Sequence, residues 1–278
     1  MKEKLFGWEG INFIVPEDWE LNSLSGERNK GNFTLDDGWY IRLEGEWEYP
    51  SSAFSLEKIT EKYKKEIEKR GKGVKVVEME GKRKWFKERS GKIFSWRDRG
   101  DYYSWITYCK VCGRFFLLRV YFPEGEGRKI FFRILDTFRD HPEGEWERWG
   151  IYRLQADIPA HLTLKRYSLK TGDIVLHFEK GKEFLELHQI ALGEIILKEK
   201  TLKDWVNERL KIRLKEGEER GEVHISLSAV FKEKPWPWEK RKSLRAWFCA
   251  LDNRIYLVVK SEGLPWPKVF CHEETGKE

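Results

Sequence analysis

Ile11-Asn12-Phe13-Ile14-Val15-Pro16 and Leu154-Gln155-Ala156-Asp157-Ile158-Pro159 stand near the start of the two halves of this chain. Each is a short apolar run stopped by proline, which has no N–H to give to a sheet and so marks a strand end. Features that follow the two runs recur in the same order. Phe33 to Leu35 turns through Asp36-Asp37-Gly38 into Trp39 to Leu43, and Ile174 to Phe178 turns through Glu179-Lys180-Gly181 into Phe184 to Leu187. Glycine in such turns supplies the positive φ of a tight hairpin. A helix comes next in each half. Ser55 caps one with Leu56, Ile59, Tyr63 and Ile67 on a single face. Thr201, with Asp204 three residues on, caps another that carries Leu202, Trp205, Val206, Leu210 and Leu214 inward.

Strands then return. Val74 to Met79 matches Val223 to Val230, Tyr103 to Cys109 with Arg114 to Phe122 matches Leu244 to Ala250 with Arg254 to Lys260, and Phe131, Ile134, Leu135 and Phe138 mark a closing helix in the first half. Each half reads β-β-β-α-β-β-β-α. The expectation is therefore an α+β fold: two tandem copies of an antiparallel sheet packed with helices, residues 1–145 and 146–278, joined through Pro142 to Arg148.

The opening motif Phe13-Ile14-Val15-Pro16-Glu17-Asp18-Trp19 and the order of elements resemble the PsbP-like superfamily, whose copies begin with an apolar strand, a proline and often a tryptophan shortly after. The second copy keeps Ile158-Pro159 and has Leu162 where the tryptophan would stand. That resemblance implies αβα layers in each copy. It also implies a non-catalytic binding or assembly module with a protein partner, and it transfers no active site.

Composition narrows the setting more than the task. The chain has 278 residues, 40% of them hydrophobic, and 14 Trp and 17 Phe provide ample core. Charged residues make up 36%, with 53 Lys plus Arg against 47 Asp plus Glu. Both signs alternate from Glu57 to Arg70, as on a solvated surface laced with ion pairs rather than a basic stripe. Six Asn, two Gln, two Met and four Cys are few, and that scarcity beside many Glu, Lys and Arg is the mark of a thermophile protein. No run reaches the ~18 apolar residues of a membrane span, and Met1 to Gly10 has no hydrophobic signal core. The expectation is a cytoplasmic protein that does not engage a membrane.

The chemistry that the sequence offers lies in its cysteines. Cys109 and Cys249 hold matching places near the end of the penultimate strand of each copy; Cys112 makes a single CxxC with Cys109; Asp140-His141 aligns with Cys271-His272. Thiolates and imidazoles gathered tetrahedrally hold zinc. The candidate ligands are Cys109, Cys112 and His141 in the first half and Cys249, Cys271 and His272 in the second. Buried inert thiols and a Cys249–Cys271 disulfide are the other readings. His224 alternates with the apolar face of its strand and is expected to face solvent. A second candidate surface interleaves Trp236, Trp238, Lys240, Arg241, Lys242 and Arg245, the mixture of rings and cations that holds single-stranded nucleic acid. Its ordinary reading is tryptophans that cap the core. No GxSxG elbow, HExxH, phosphate loop or dinucleotide fingerprint is present. The sequence thus points first to a non-enzymatic binding module, then to a zinc protein or Cys/His enzyme, then to a nucleic-acid binder.

Overall fold

A computed structural model of the chain describes residues 2–50, 54–70, 73–125, 127–233 and 240–271. Among these residues strand accounts for 52% and helix for 18%, in three antiparallel sheets with four α-helices. The fold is β-rich, and this corrects the expected α+β arrangement of helix-packed αβα layers. The discrepancy has a physical source. Several strands carry almost no apolar alternation because they lie at sheet edges with both faces wet, and the pattern of alternation is what betrays a strand. Glu20–Glu27 and Thr163–Lys170 are such edge strands, and neither buries a residue fully.

The chain forms two compact units, Met1–Pro142 with Trp149–Arg153, and Glu143–Arg148 with Leu154–Glu278. In the first, β1 (Glu3–Trp8) and β2 (Ile11–Pro16) form a hairpin. It is followed by β3 (Glu20–Glu27), β4 (Lys30–Asp36), β5 (Ile41–Glu48), α1 (Leu56–Arg70), β6 (Val77–Met79), β7 (Arg89–Arg97), β8 (Asp101–Cys109), β9 (Phe115–Phe122) and α2 (Gly127–Thr137). Seven strands make one antiparallel sheet in the order β3-β4-β5-β9-β8-β7-β6.

Alternate residues of this sheet face opposite ways, and both sides are covered. On one, α1 brings Ile67 against Phe94, Trp96, Ile106 and Phe115, with Leu56, Ile59 and Tyr63 beside them. Ser55 caps that helix, accepting from the Lys58 amide at 3.3 Å. On the other side an aromatic cluster takes Phe6 from β1 onto Phe33 (centroids 4.4 Å), and Phe138 onto both Phe116 (4.9 Å) and Trp105 (5.0 Å). Helix α2 adds Phe131 and Ile134, both fully buried. A hairpin and a helix thus share one face, where the expected layering had helix alone.

After β10 (Trp146–Ile151), which is divided between the units at Arg148 and Trp149, the second unit is built from β11 (Leu154–Pro159), β12 (Thr163–Lys170), β13 (Asp173–Lys180), β14 (Glu183–Ala191), α3 (Gly193–Glu199), α4 (Leu202–Leu210), β15 (Glu219–Arg220), β16 (His224–Glu233), β17 (Lys240–Cys249), β18 (Arg254–Ser261) and β19 (Lys268–Phe270). Its seven-stranded sheet runs β12-β13-β14-β18-β17-β16-β15, the same order of places as in the first unit. Leu202, Trp205 and Val206 of α4 pack on Leu227, Leu244, Ala246, Phe248, Leu257 and Val259. The Thr201 hydroxyl accepts from the Asp204 amide at 3.1 Å and caps α4. That helix stops at Leu210, where Lys211 turns left-handed, so Leu214 reaches the core from an extended segment and not from the helix. The opposite face receives the 264–270 segment, whose Trp266 ring lies against Arg245 and Lys260, while β19 pairs with β11. No helix among the described residues is long and apolar enough to cross a membrane.

Candidate metal centre

Cys109 is the last residue of β8, and its ladder partner on β7 is Arg89. Strand alternation puts it on the side of Trp105, away from α1. The chain then turns through Lys110, Val111 and Cys112 to Gly113, whose φ of +77° and amide bond to the Cys109 carbonyl (3.0 Å) close the hairpin. This tight turn folds Cys112 back toward Cys109. A second segment arrives from α2: Arg139 exchanges backbone hydrogen bonds with Asn12 of β2, both 2.8 Å, which fixes the next residues over the end of β8. The buried Arg114 donates to the Asp140 carbonyl at 3.2 Å and anchors it further.

Cys109, Cys112, Asp140 and His141 consequently each present one ligand atom, and the four atoms lie within 4.8 Å of one another. Cys109 Sγ is 3.6 Å from His141 Nδ1, which also lies 2.8 Å from Asp140 Oδ1. Zinc at ~2.3 Å from sulfur and ~2.0 Å from nitrogen or oxygen implies tetrahedral edges of roughly 3.3–3.8 Å. The Cys109–His141 separation already has that length.

The electrostatics agree with this geometry. Asp140 is only 2% exposed, and Arg89 donates to its Oδ1 at 2.5 Å. Its other oxygen, Oδ2, is buried with no hydrogen-bond partner among the described residues. A buried carboxylate oxygen left unsatisfied costs on the order of 1–3 kcal/mol or more, so something should engage it. The hydrogen bond between the two thiols pulls the Cys109 thiol down, against the opposing effect of burial, and pushes Cys112 up. Cys109 is therefore the sulfur poised as thiolate. Two thiolates, one carboxylate, a neutral imidazole and a divalent ion sum to minus one, which the Arg89 guanidinium balances.

The second unit repeats part of this plan. Cys249 ends β17 and pairs with His224 of β16, while Cys271 follows β19. His224, Cys249 and Cys271 bring their ligand atoms within 4.8 Å of one another, with His224 Nε2 3.2 Å from Cys271 Sγ. His224 is half-buried on the strand face away from Leu227 and Ala229, with its imidazole beside the thiols. Burial and the neighbouring Cys249 push the Cys271 thiol up. All four cysteines are thiols; the Cys249–Cys271 disulfide, one of the alternative readings, is not formed. His272 lies outside the described residues.

Two ligand candidates escaped the reading of the sequence. Asp140 was visible beside His141 but carried no signal beyond its neighbour. His224 could have been found by register, because counting back along the β16–β17 hairpin sets it opposite Cys249.

The basic and aromatic stretch is divided by the fold. Arg241 and Arg245 point to one face of β17 and Lys242 to the other, by strand alternation. Arg241 pairs with Glu262 (3.8 Å), Lys242 lies 4.6 Å from the Phe184 ring, and Arg245 lies 4.2 Å from Trp266. Lys240 begins the strand, and Trp236 and Trp238 lie outside the described residues. Against known proteins, no family model and no curated protein matches this chain.

Proposed function

We propose that this chain is a zinc-binding protein in which Cys109, Cys112, Asp140 and His141 form a closed, four-ligand site in the first unit. The observation that carries the reading is the buried, unpartnered Oδ2 of Asp140 within a cluster of two thiols and an imidazole. A closed tetrahedral set serves structure; catalytic zinc keeps a position for water or substrate. The site would tie the β8–β9 turn to the segment after α2, and thereby lock the aromatic face around Phe138. In this reading the first unit is a metal-stabilised binding module, not an enzyme, and its partner is a protein.

The test is metal content. Protein purified without chelators and weighed under native conditions should carry zinc. The Cys109→Ser/Cys112→Ser double variant should carry one ion fewer, as should His141→Ala. An unchanged metal count in both variants would overturn the assignment, and so would a wild-type chain that takes up no zinc when dialysed against micromolar free metal.

A further inference from the structure

We infer that the second unit holds a second and different metal site, ligated by His224, Cys249 and Cys271, whose fourth position opens onto a cavity shaped for a small carboxylate. Three observations lead there. The ligand atoms of the three residues lie within 4.8 Å of one another, and they comprise two sulfurs and one imidazole nitrogen. That is the donor set of zinc sites that keep an exchangeable position, with three protein ligands and one place for water or substrate.

The second observation is where the cluster sits. His224 and Cys271 line the wall of a cavity of about 580 Å³, while Cys249 is fully buried on the sheet side. An ion held from below by Cys249 and from the wall by the other two presents its remaining vertex to the open space. In the first unit four residues complete the set.

The third is the character of the cavity. Arg245 and Lys268 line it together with Trp247 and Trp266. The Arg245 guanidinium lies over the Trp266 ring at 4.2 Å, and a guanidinium held against a ring face keeps its N–H groups for hydrogen bonds in its own plane. Two thiolates and a neutral imidazole cancel the charge of a divalent ion, so both cations remain to attract an anion. A guanidinium edge matches a carboxylate in a bidentate pair, and flat aromatic walls suit an apolar body. A metal position, an adjacent cationic fork and two indoles together describe a site for an aryl or alkyl carboxylate, with one carboxylate oxygen on the metal.

The inference stands apart from the first site and is tested with that site disabled. The Cys109→Ser/Cys112→Ser variant is loaded with cobalt(II) and titrated with benzoate. Expected are one cobalt per chain with a thiolate charge-transfer band, and a saturable change in the ligand-field bands as benzoate enters. Cys249→Ser added to that background should abolish the band. Arg245→Met should weaken benzoate at least tenfold. If the double variant does not fold, the intact chain with two cobalt ions gives the same reading: Cys249→Ser removes one ion and the benzoate response with it. A chain whose cobalt stoichiometry is unaffected by Cys249→Ser refutes the site. Cobalt bands that ignore benzoate refute the open position; should His272→Ala then confer a response, the fourth ligand is His272. Failure of the first-unit site appears separately, as an unchanged stoichiometry in Cys109→Ser/Cys112→Ser.

Discussion

Lowering the pH should unlock the second unit at one carboxylate, Glu186. It sits on β14 opposite His177 of β13. Its Oε2 lies 3.0 Å from His177 Nδ1 and its Oε1 2.6 Å from His188 Nε2; Arg209 continues the network by bridging His188 to Asp173. Burial alone would raise the carboxyl, but the hydrogen bonds and charge of the two imidazoles outweigh it and hold it at about 2, against 4.5 for the free side chain. A depressed acid stabilises the fold above its unfolded value and loses that contribution as the pH falls through the folded one. The window is therefore pH 4.5 down to about 2. At ~1.4 kcal/mol per pH unit the whole effect is roughly 3 kcal/mol, of which about 1.4 survives at pH 3. Glu186→Gln keeps the shape and removes the titration. Urea unfolding followed by a probe in the second unit should show the variant weaker by about 3 kcal/mol at about pH 5.5, with the gap between variant and wild type closing toward pH 2. A gap of constant size from pH 5.5 to pH 2 would refute the reasoning, because the loss would then come from packing and not from the charge.

Three further outcomes are expected. Gly45 of β5 lies beneath the fully buried Phe33, and an added Cβ would come within 2.3 Å of the ring; Gly45→Ala should destabilise the first unit by about 1–3 kcal/mol, read as a lower urea midpoint at unchanged slope. Thr201→Ala removes the cap of α4 and should cost about 1 kcal/mol, whereas Thr201→Ser should cost little; equal losses in calorimetry would argue against the cap. A strong chelator should lower the melting temperature of the wild type, since a ligand at a hundred times its Kd contributes about 2.7 kcal/mol. The first-site share of that shift should vanish in Cys109→Ser/Cys112→Ser, and a shift of undiminished size would mean that the metal acts elsewhere.

What the sequence could disclose follows from where each element buries its side chains. Helix α1 was readable because Leu56, Ile59, Tyr63 and Ile67 recur at helical spacing behind a Ser55 cap, and α4 because Thr201 and Asp204 form a local capping pair. The β-richness was not. Strand β3, Glu-Leu-Asn-Ser-Leu-Ser-Gly-Glu, is held by its ladder to β4 and buries no residue fully. Polar strands of this kind owe their conformation to a neighbour far along the chain, which no local pattern records. Leucine at 214 fits the helical stripe of α4, but Lys211 in the left-handed region ends the helix first, with its amide bonded to the Asn207 carbonyl. A core contact at the right spacing was made by a different backbone.

The two thiol clusters show the same limit at the level of chemistry, and also what duplication adds. Zinc motifs are recognised from spacing when the ligands share a short loop. Here only Cys109 and Cys112 do; Asp140 and His141 arrive after α2, and in the second unit His224 comes from the strand beside Cys249. Sheet topology gives Arg89 and His224 the same place, each opposite the terminal cysteine of the next strand. The residue found there fits what the rest of each cluster requires. Where a carboxylate completes the set, as Asp140 does, two thiolates and that carboxylate exceed the charge of a divalent ion, and a guanidinium restores the balance. Where no carboxylate is among the clustered residues, a cation in that place would repel the metal, and a neutral imidazole supplies a ligand instead. Exchanging the pair should therefore disturb the two sites in different ways. Arg89→His would leave the first site with surplus negative charge and a fifth donor, while His224→Arg would place a fixed cation beside Cys249 and expel the ion. Metal stoichiometry in the two variants tests it: loss confined to the second site, with the first retained at altered affinity, is the outcome that this charge argument requires.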